Sequence, residues 1–354
     1  MNRRSFLTTG VAASAATAQT PSGGRGRRPV RMHVGTQGKP LTRESLEYLK
    51  RHAVDHIAGW PAKWSEATMA NDLSRARESC EKFGIRLDVA EQPRIHSAPV
   101  SAIALGKHPQ RDREIDYLHK VIVACAKAGI PAFKYIIRIL FNVRSGFTPG
   151  RGGSQYSTWR WKDVKDAQVL TPAGRVTADV YWERITYFLE KVIPVCNEYK
   201  IRAMGHPHDP GVPPEGYRGV DRVLGTVEGL KRYVSIQESP YHGLNFCVGT
   251  VAEMLQDPAR EIHDVIRYFG ARKKIFNIHF RNIVGKRDDF YEVYPDNGDM
   301  NMIDVARTLH EVDYPYMLMP DHMPQHPDDP GYLQAFAFGY GYIKATIQAL
   351  ERMG

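Results

Sequence analysis

Four residues in the C-terminal half of the chain have the types and placement to hold a divalent metal ion: His206, Cys247, His279 and Asp321. Each ends a short β-rich run, in Met204-Gly205-His206, Asn245-Phe246-Cys247, Asn277-Ile278-His279 and Met319-Pro320-Asp321. Imidazole, thiolate and carboxylate together suit a transition metal such as Mn, Fe, Co or Zn, whereas a site built for Mg alone does not recruit sulfur. Taken singly, a strand-end His is ordinarily a hydrogen-bonded structural residue and a strand Cys is ordinarily packing. Four such residues at the same point of successive units call for a common cause. The adjacent His322 adds a group suited to proton transfer near neutrality. A bound cation offsets charge that develops as a neighbouring group transfers a proton.

The elements that must position these residues are legible as β-rich runs alternating with amphipathic helical patterns. Strands are predicted at 30–36, 54–59, 86–92, 132–137, 201–206, 244–249, 275–280 and 316–320. Helices are predicted at 42–51, 69–83, 111–128, 178–199, 251–269, 300–311 and 331–352. Eight βα units in one chain predict a closed (β/α)8 barrel, a TIM barrel, in which the carboxyl ends of the strands converge on one mouth. A dinucleotide-binding sheet is disfavoured, because no GxGxxG follows a strand and no GxxxxGK[ST] occurs. The 138–171 connection after the fourth strand is too long for a turn. Its Arg144, Arg151, Tyr156, Trp159 and Trp161 predict a lid or a subunit contact, and hence a homo-oligomer.

Length and composition support one globular barrel spanning 29–354. No apolar run approaches the roughly 18 uncharged residues of a membrane-spanning helix, so no membrane insertion is expected. The opening Arg3-Arg4-Ser5-Phe6-Leu7, a mild apolar stretch and Ala16-Thr17-Ala18 read as a twin-arginine export signal, followed by a Gly/Arg-rich spacer to residue 28. A periplasmic or otherwise exported protein is therefore expected. Five arginines and no acid fall in residues 1–28, so the formal charge of +9 drops to +4 for the body (nine less five). With no continuous basic stripe, nucleic acid is not an expected partner, and a small anionic substrate is. Of the four cysteines, Cys80, Cys125 and Cys196 sit in helical patterns and read as buried inert thiols.

Several segments resemble the mannonate dehydratase family. They are Gly205-His206-Pro207-His208-Asp209-Pro210, Gly243-Leu244-Asn245-Phe246-Cys247-Val248-Gly249, His279-Phe280-Arg281-Asn282, Asn297-Gly298-Asp299-Met300, Pro320-Asp321-His322 and Pro330-Gly331-Tyr332. Glu91-Gln92-Pro93-Arg94-Ile95-His96 is similar more faintly. The resemblance implies a xylose-isomerase-like barrel that uses Mn or Fe to convert D-mannonate, or a related aldonic or uronic acid, into a 2-keto-3-deoxy product. It implies His206, Cys247, His279 and Asp321 as metal ligands and His322 and Tyr332 as acid-base residues. It further implies Arg281 on the substrate carboxylate, with Asn282, His208, Glu91 and His96 as other substrate contacts.

The chain departs from the family pattern in places. His208 stands where an Asp is usual, Tyr291 and Tyr294 replace two histidines, and Phe133-Lys134-Tyr135-Ile136-Ile137 replaces an aromatic and Asn motif. The Trp-rich opening before the first strand is also missing. Two other readings use the same barrel: a metal-dependent sugar isomerase or epimerase, and an inactive exported carbohydrate-binding relative. Related epimerases hold their metal mainly with Glu, Asp and His, so the Cys and two His here favour the dehydratase.

Overall fold

The computed structural model describes residues 28–91, 100–166 and 168–353. The twin-arginine segment, including Arg3, Arg4 and Ala16-Thr17-Ala18, lies outside the described residues, as does His96.

Twelve strands are described: β1 (His33–Thr36), β2 (His56–Gly59), β3 (Arg86–Ala90), β4 (Ala132–Tyr135), β5 (Gly146–Pro149), β6 (Gln155–Arg160), β7 (Arg202–Gly205), β8 (His242–Cys247), β9 (Ile275–His279), β10 (Asn282–Lys286), β11 (Asp289–Val293) and β12 (Met317–Met319). Eight of them close a parallel barrel in the order β1-β12-β9-β8-β7-β4-β3-β2. All eight predicted strands are present. They are short apolar rows because parallel strands are covered on both faces. One face packs beneath the surrounding helices. Along the other, Ala58, Val89, Ala132, Met204, Phe276, Met317 and Met319 form a separate buried cluster that fills the lumen.

The outer helices largely match their predicted positions, and side-chain caps mark several starts. Thr42 accepts from Ser45 N–H at the helix Arg43–Arg51, and Asn301 accepts from Ile303 and Asp304 N–H at Met302–Glu311. Cys80, Cys125 and Cys196 are buried and free within helices. The pattern at 251–269 is two helices, Val248–Ala252 and Pro258–Ala271, because Pro258 starts the second and cannot sit inside the first. The helix Val227–Ser235 between β7 and β8 was not anticipated.

The 138–171 connection carries β5 and β6. These pair with the β10–β11 hairpin that follows barrel strand β9, giving a four-stranded antiparallel sheet in the order β10-β11-β6-β5. Phe290 lies opposite Trp159 and Tyr291 opposite Thr158 across the central pair. Trp159 and Phe290 are buried, and Tyr156 stacks on Tyr291 with ring centres 5.9 Å apart. The loop aromatics are thus the core of a cap that joins two βα loops at the carboxyl ends of the barrel strands. Among the described residues no helix is long and apolar enough to cross a membrane.

Candidate active site

The ligand candidates meet at the carboxyl ends of four adjacent strands. His206 directly follows β7, Cys247 and His279 end β8 and β9, and Asp321 stands just past β12. A register shift between Leu244 and Asn245 aligns Cys247 with His279 across the β8–β9 ladder, and Met319 is level with His279 on the other side. Alternation along each strand then turns these side chains into the lumen.

His206, Cys247 and His279 each offer a ligand atom within 4.8 Å of the others. Asp321 Oδ2 lies 3.8 Å from Cys247 Sγ and 3.3 Å from His279 Nδ1. His206 Nδ1 is 2.7 Å from the Pro207 carbonyl, to which it must donate, so its lone pair is on Nε2. Burial lowers His206 to about 4, which keeps the ring neutral. His279 Nε2 donates to Gln37 Oε1 at 2.9 Å, and its buried Nδ1 has no hydrogen-bond partner among the described residues. Two imidazoles, a sulfur and a carboxylate, oriented from behind by backbone and amide groups, fit a divalent transition metal.

His322 opens beside this group with φ of 40°. Its Nδ1 is 2.8 Å from Glu292 Oε1, and its Nε2 is 3.0 Å from the Asn142 amide. Burial pulls its pKa down, but the carboxylates of Asp321 and Glu292 outweigh that and raise it to about 10. Glu292 belongs to β11, so the cap sheet supplies the partner of a barrel-end histidine.

Behind His322 lies a buried ionic cluster. Arg281 is fully enclosed and donates to Asp209 at 3.0 Å, to Glu253 and Thr250 at 2.8 Å, and to Glu292. Arg144, from the cap connection, pairs with Asp209 at 2.6 Å and with Glu292. Burial works against the charge on Asp209 and Glu292, but Arg144 and Arg281 override it. Asp209 is held well below the carboxylate range and Glu292 at about 2. Glu253 goes the other way, raised well above its usual value by burial and by the Asp209 charge.

Three residues expected to contact substrate are instead held by groups of the chain itself. Arg281 faces carboxylates of its own chain rather than the cavity, because Asp209, Glu253 and Glu292 converge on its guanidinium. His208 is a structural residue. Its Nε2 is 2.8 Å from the Ile137 carbonyl, its Nδ1 accepts from Leu224 N–H, and burial followed by the nearby Arg222 charge lowers it to about 3. Asn282 is buried and braces the loop after β11, donating to the Pro295 and Met300 carbonyls. Tyr291 and Tyr294, in place of the family's histidines, are likewise cap residues: Tyr291 stacks on Tyr156, and the Tyr294 hydroxyl is 3.0 Å from Ser154 Oγ.

A cavity of about 540 Å³ opens over the ligand group, with His206, His279, Asp321 and His322 in its wall. An adjoining space of about 520 Å³ shares Gln37, Glu91, Asn142, Asp321 and His322 with it and brings in Tyr332. Glu91 lines both spaces. Gln37, Lys134, Asn245, Arg144 and Glu292 were missed. A polar residue within an apolar parallel strand was the available signal for Lys134 and Asn245. Arg144 and Glu292 carry no such local mark.

The fold and site define a xylose-isomerase-like (β/α)8 barrel with its candidate ligand residues gathered at the carboxyl ends of the strands. A mannonate dehydratase from Streptococcus suis serotype2 superposes with a TM-score of 0.75 at 24% identity, covering 92% of this chain and 96% of that one. A xylose isomerase domain protein from Planctomyces limnophilus superposes at 0.59 with 12% identity, over 92% of this chain and 100% of that one. The family model for D-mannonate dehydratase (UxuA) matches residues 155–354, more than half of the chain, and the chain belongs to that family of hydro-lyases. Mannonate dehydratase of Thermotoga maritima is 28% identical over 321 residues, 80% of this chain and 86% of the relative.

Proposed function

We propose that this chain dehydrates a sugar acid, D-mannonate to 2-keto-3-deoxy-D-gluconate or the equivalent step on a related aldonic or uronic acid, with Mn or Fe as its metal. The observation that carries the reading is the convergence of His206, Cys247, His279 and Asp321 at one barrel mouth, beside a histidine that opens on the same cavity. Those four residues would hold the ion. When bound, it supplies positive charge against the charge that develops on the substrate carboxylate as the α-proton leaves.

The remaining work falls to the protein. The C2–H bond breaks, the C3 hydroxyl leaves as water after taking a proton, and the resulting enol becomes the ketone. His322 moves a proton at Nε2 while Glu292 holds Nδ1, and Tyr332, which lines the adjoining space with it, is its partner, one group taking the C2 proton and the other protonating the hydroxyl. Glu292 from the cap sheet, paired with Arg144 from the connection before it, steadies His322. Export in the folded state belongs to the same reading, on the strength of Arg3-Arg4 and Ala16-Thr17-Ala18.

The deciding experiment loads the purified full chain with Mn or Fe and offers D-mannonate, other aldonic and uronic acids, and neutral sugars, monitoring 2-keto-3-deoxy product. Product from at least one acid is expected. Interconversion of a neutral ketose with no acid dehydrated would replace this reading with an epimerase.

A further inference from the structure

With Arg281 withdrawn into its own carboxylates, the cavity needs another group to meet a substrate carboxylate. The cations near the mouth differ in what already occupies them. Arg144 is committed to Asp209 and Glu292. Lys39 lies over the Phe336 ring in the outer space, 4.4 Å from its centre. Arg138 lies on the Phe141 ring and donates to Asn142. Lys134 is the cation tied most directly to the ligand group. Its ammonium donates to Gln37 Oε1, the same oxygen that accepts from His279 Nε2, while Gln37 Nε2 donates to Asp321 Oδ1 at 3.2 Å.

We propose that Lys134 reads the carboxylate of the substrate and sets the preference for acids over neutral sugars, an assignment that rests on the sugar-acid reading of this site. In the barrel order β4 and β12 lie four strands apart, on opposite sides of the mouth. A substrate with its carboxylate toward Lys134 on β4 therefore presents its next carbons to the ligand group on β7, β8, β9 and β12 and to His322. Connectivity requires this order, because the proton removed is on the carbon bonded to the carboxylate. Glu91 Oε1, 2.8 Å from the ammonium, holds it over the mouth, and Glu91 Oε2 is itself fixed by the Gly38 N–H at 2.8 Å. An ammonium has three donors. Glu91 and Gln37 take two, and among the described residues the third is left for a ligand in the cavity that Lys134 lines. The alternative is a purely structural Lys134–Glu91–Gln37 bridge, which would support acid and neutral ligands alike.

The test is calorimetric binding to metal-loaded full-chain protein of D-gluconate and of D-mannitol, which has a similar polyol chain and no carboxylate. Wild type should prefer gluconate. Lys134→Gln should weaken gluconate about 10- to 100-fold, the usual worth of a hydrogen bond to a charged group, and leave mannitol unchanged. Lys134→Arg keeps the charge and should keep most of the preference, which serves if the Gln variant does not fold. Equal loss of both ligands, an unchanged preference in Lys134→Gln, or no preference in wild type overturns the assignment. If wild type dehydrates no sugar acid but Lys134→Gln still erases the preference, the dehydratase reading fails and Lys134 stands. Dehydration of mannonate with the preference intact in Lys134→Gln is the reverse case.

Discussion

Glu292 Oε1 accepts a hydrogen bond from His322 Nδ1 at 2.8 Å, so a residue of the cap sheet orients a histidine at the end of a barrel strand. The pairing leaves His322 Nε2 to the Asn142 amide, which lines the same cavity. His322→Ala should lower turnover by at least about a hundredfold while the metal content stays unchanged, because acid-base groups typically contribute 10² to 10⁴. Glu292→Gln should retain metal and lose less. Parallel metal analysis and steady-state rates separate these outcomes, and a His322→Ala protein of near-normal rate would remove His322 from the chemistry.

Removing the metal should abolish activity, and returning Mn or Fe should restore it. Cys247→Ala should lower metal retention sharply with little change in the thermal transition, since Cys247 lies at the end of β8 and outside the main core cluster. Dialysis against a chelator followed by elemental analysis measures this. Stoichiometric metal held at wild-type affinity in Cys247→Ala would exclude the sulfur as a ligand.

Arg281→Met should destabilise the protein by about 3–5 kcal/mol, because it strands Asp209 and Glu292 as buried charges with one partner fewer. Denaturant titration reads the change. Glu292 has its pKa depressed in the fold, from an ordinary value of 4.5 to about 2. Its contribution is therefore present above pH 4.5 and is lost as the pH falls toward 2. In Arg281→Met the depression is weaker, so that acid loss should be smaller and should end at a higher pH.

Gly249 should tolerate no side chain, since a Cβ there would lie 2.2 Å from Arg281 Nε. Gly249→Ala should push Arg281 out of its cluster and approach the Arg281→Met phenotype. A stability equal to wild type would mean that the arginine has another route past the helix Val248–Ala252.

Replacing Arg3 and Arg4 together with Lys should leave precursor in the cytoplasm, if the paired arginines direct export. Fractionation and immunoblotting give the answer. Mature protein outside the inner membrane in that double variant would discard the signal.

The sequence by itself determined the barrel, the four converging strand-end residues and the neighbouring His322. These depend on local alternation of apolar runs and on the βα order, which brings strand ends together wherever the barrel closes. Tertiary structure decided what each neighbour does. The one-residue slip at Leu244 and Asn245 aligns Cys247 with His279, and nothing in the local pattern announces it. Arg281, two residues past His279, turns away from the mouth because Asp209, Glu253 and Glu292 arrive from three other segments. The connection at 138–171 looks like an isolated loop in sequence, and it becomes a cap because Thr158, Trp159 and Arg160 find their pairing partners on β11, about 130 residues later in the chain. Lys134 reads as one polar residue in an apolar strand until Gln37 and Glu91, from other strand ends, set its ammonium over the mouth. Local periodicity specifies which way a side chain points, and only the closed fold specifies what waits there.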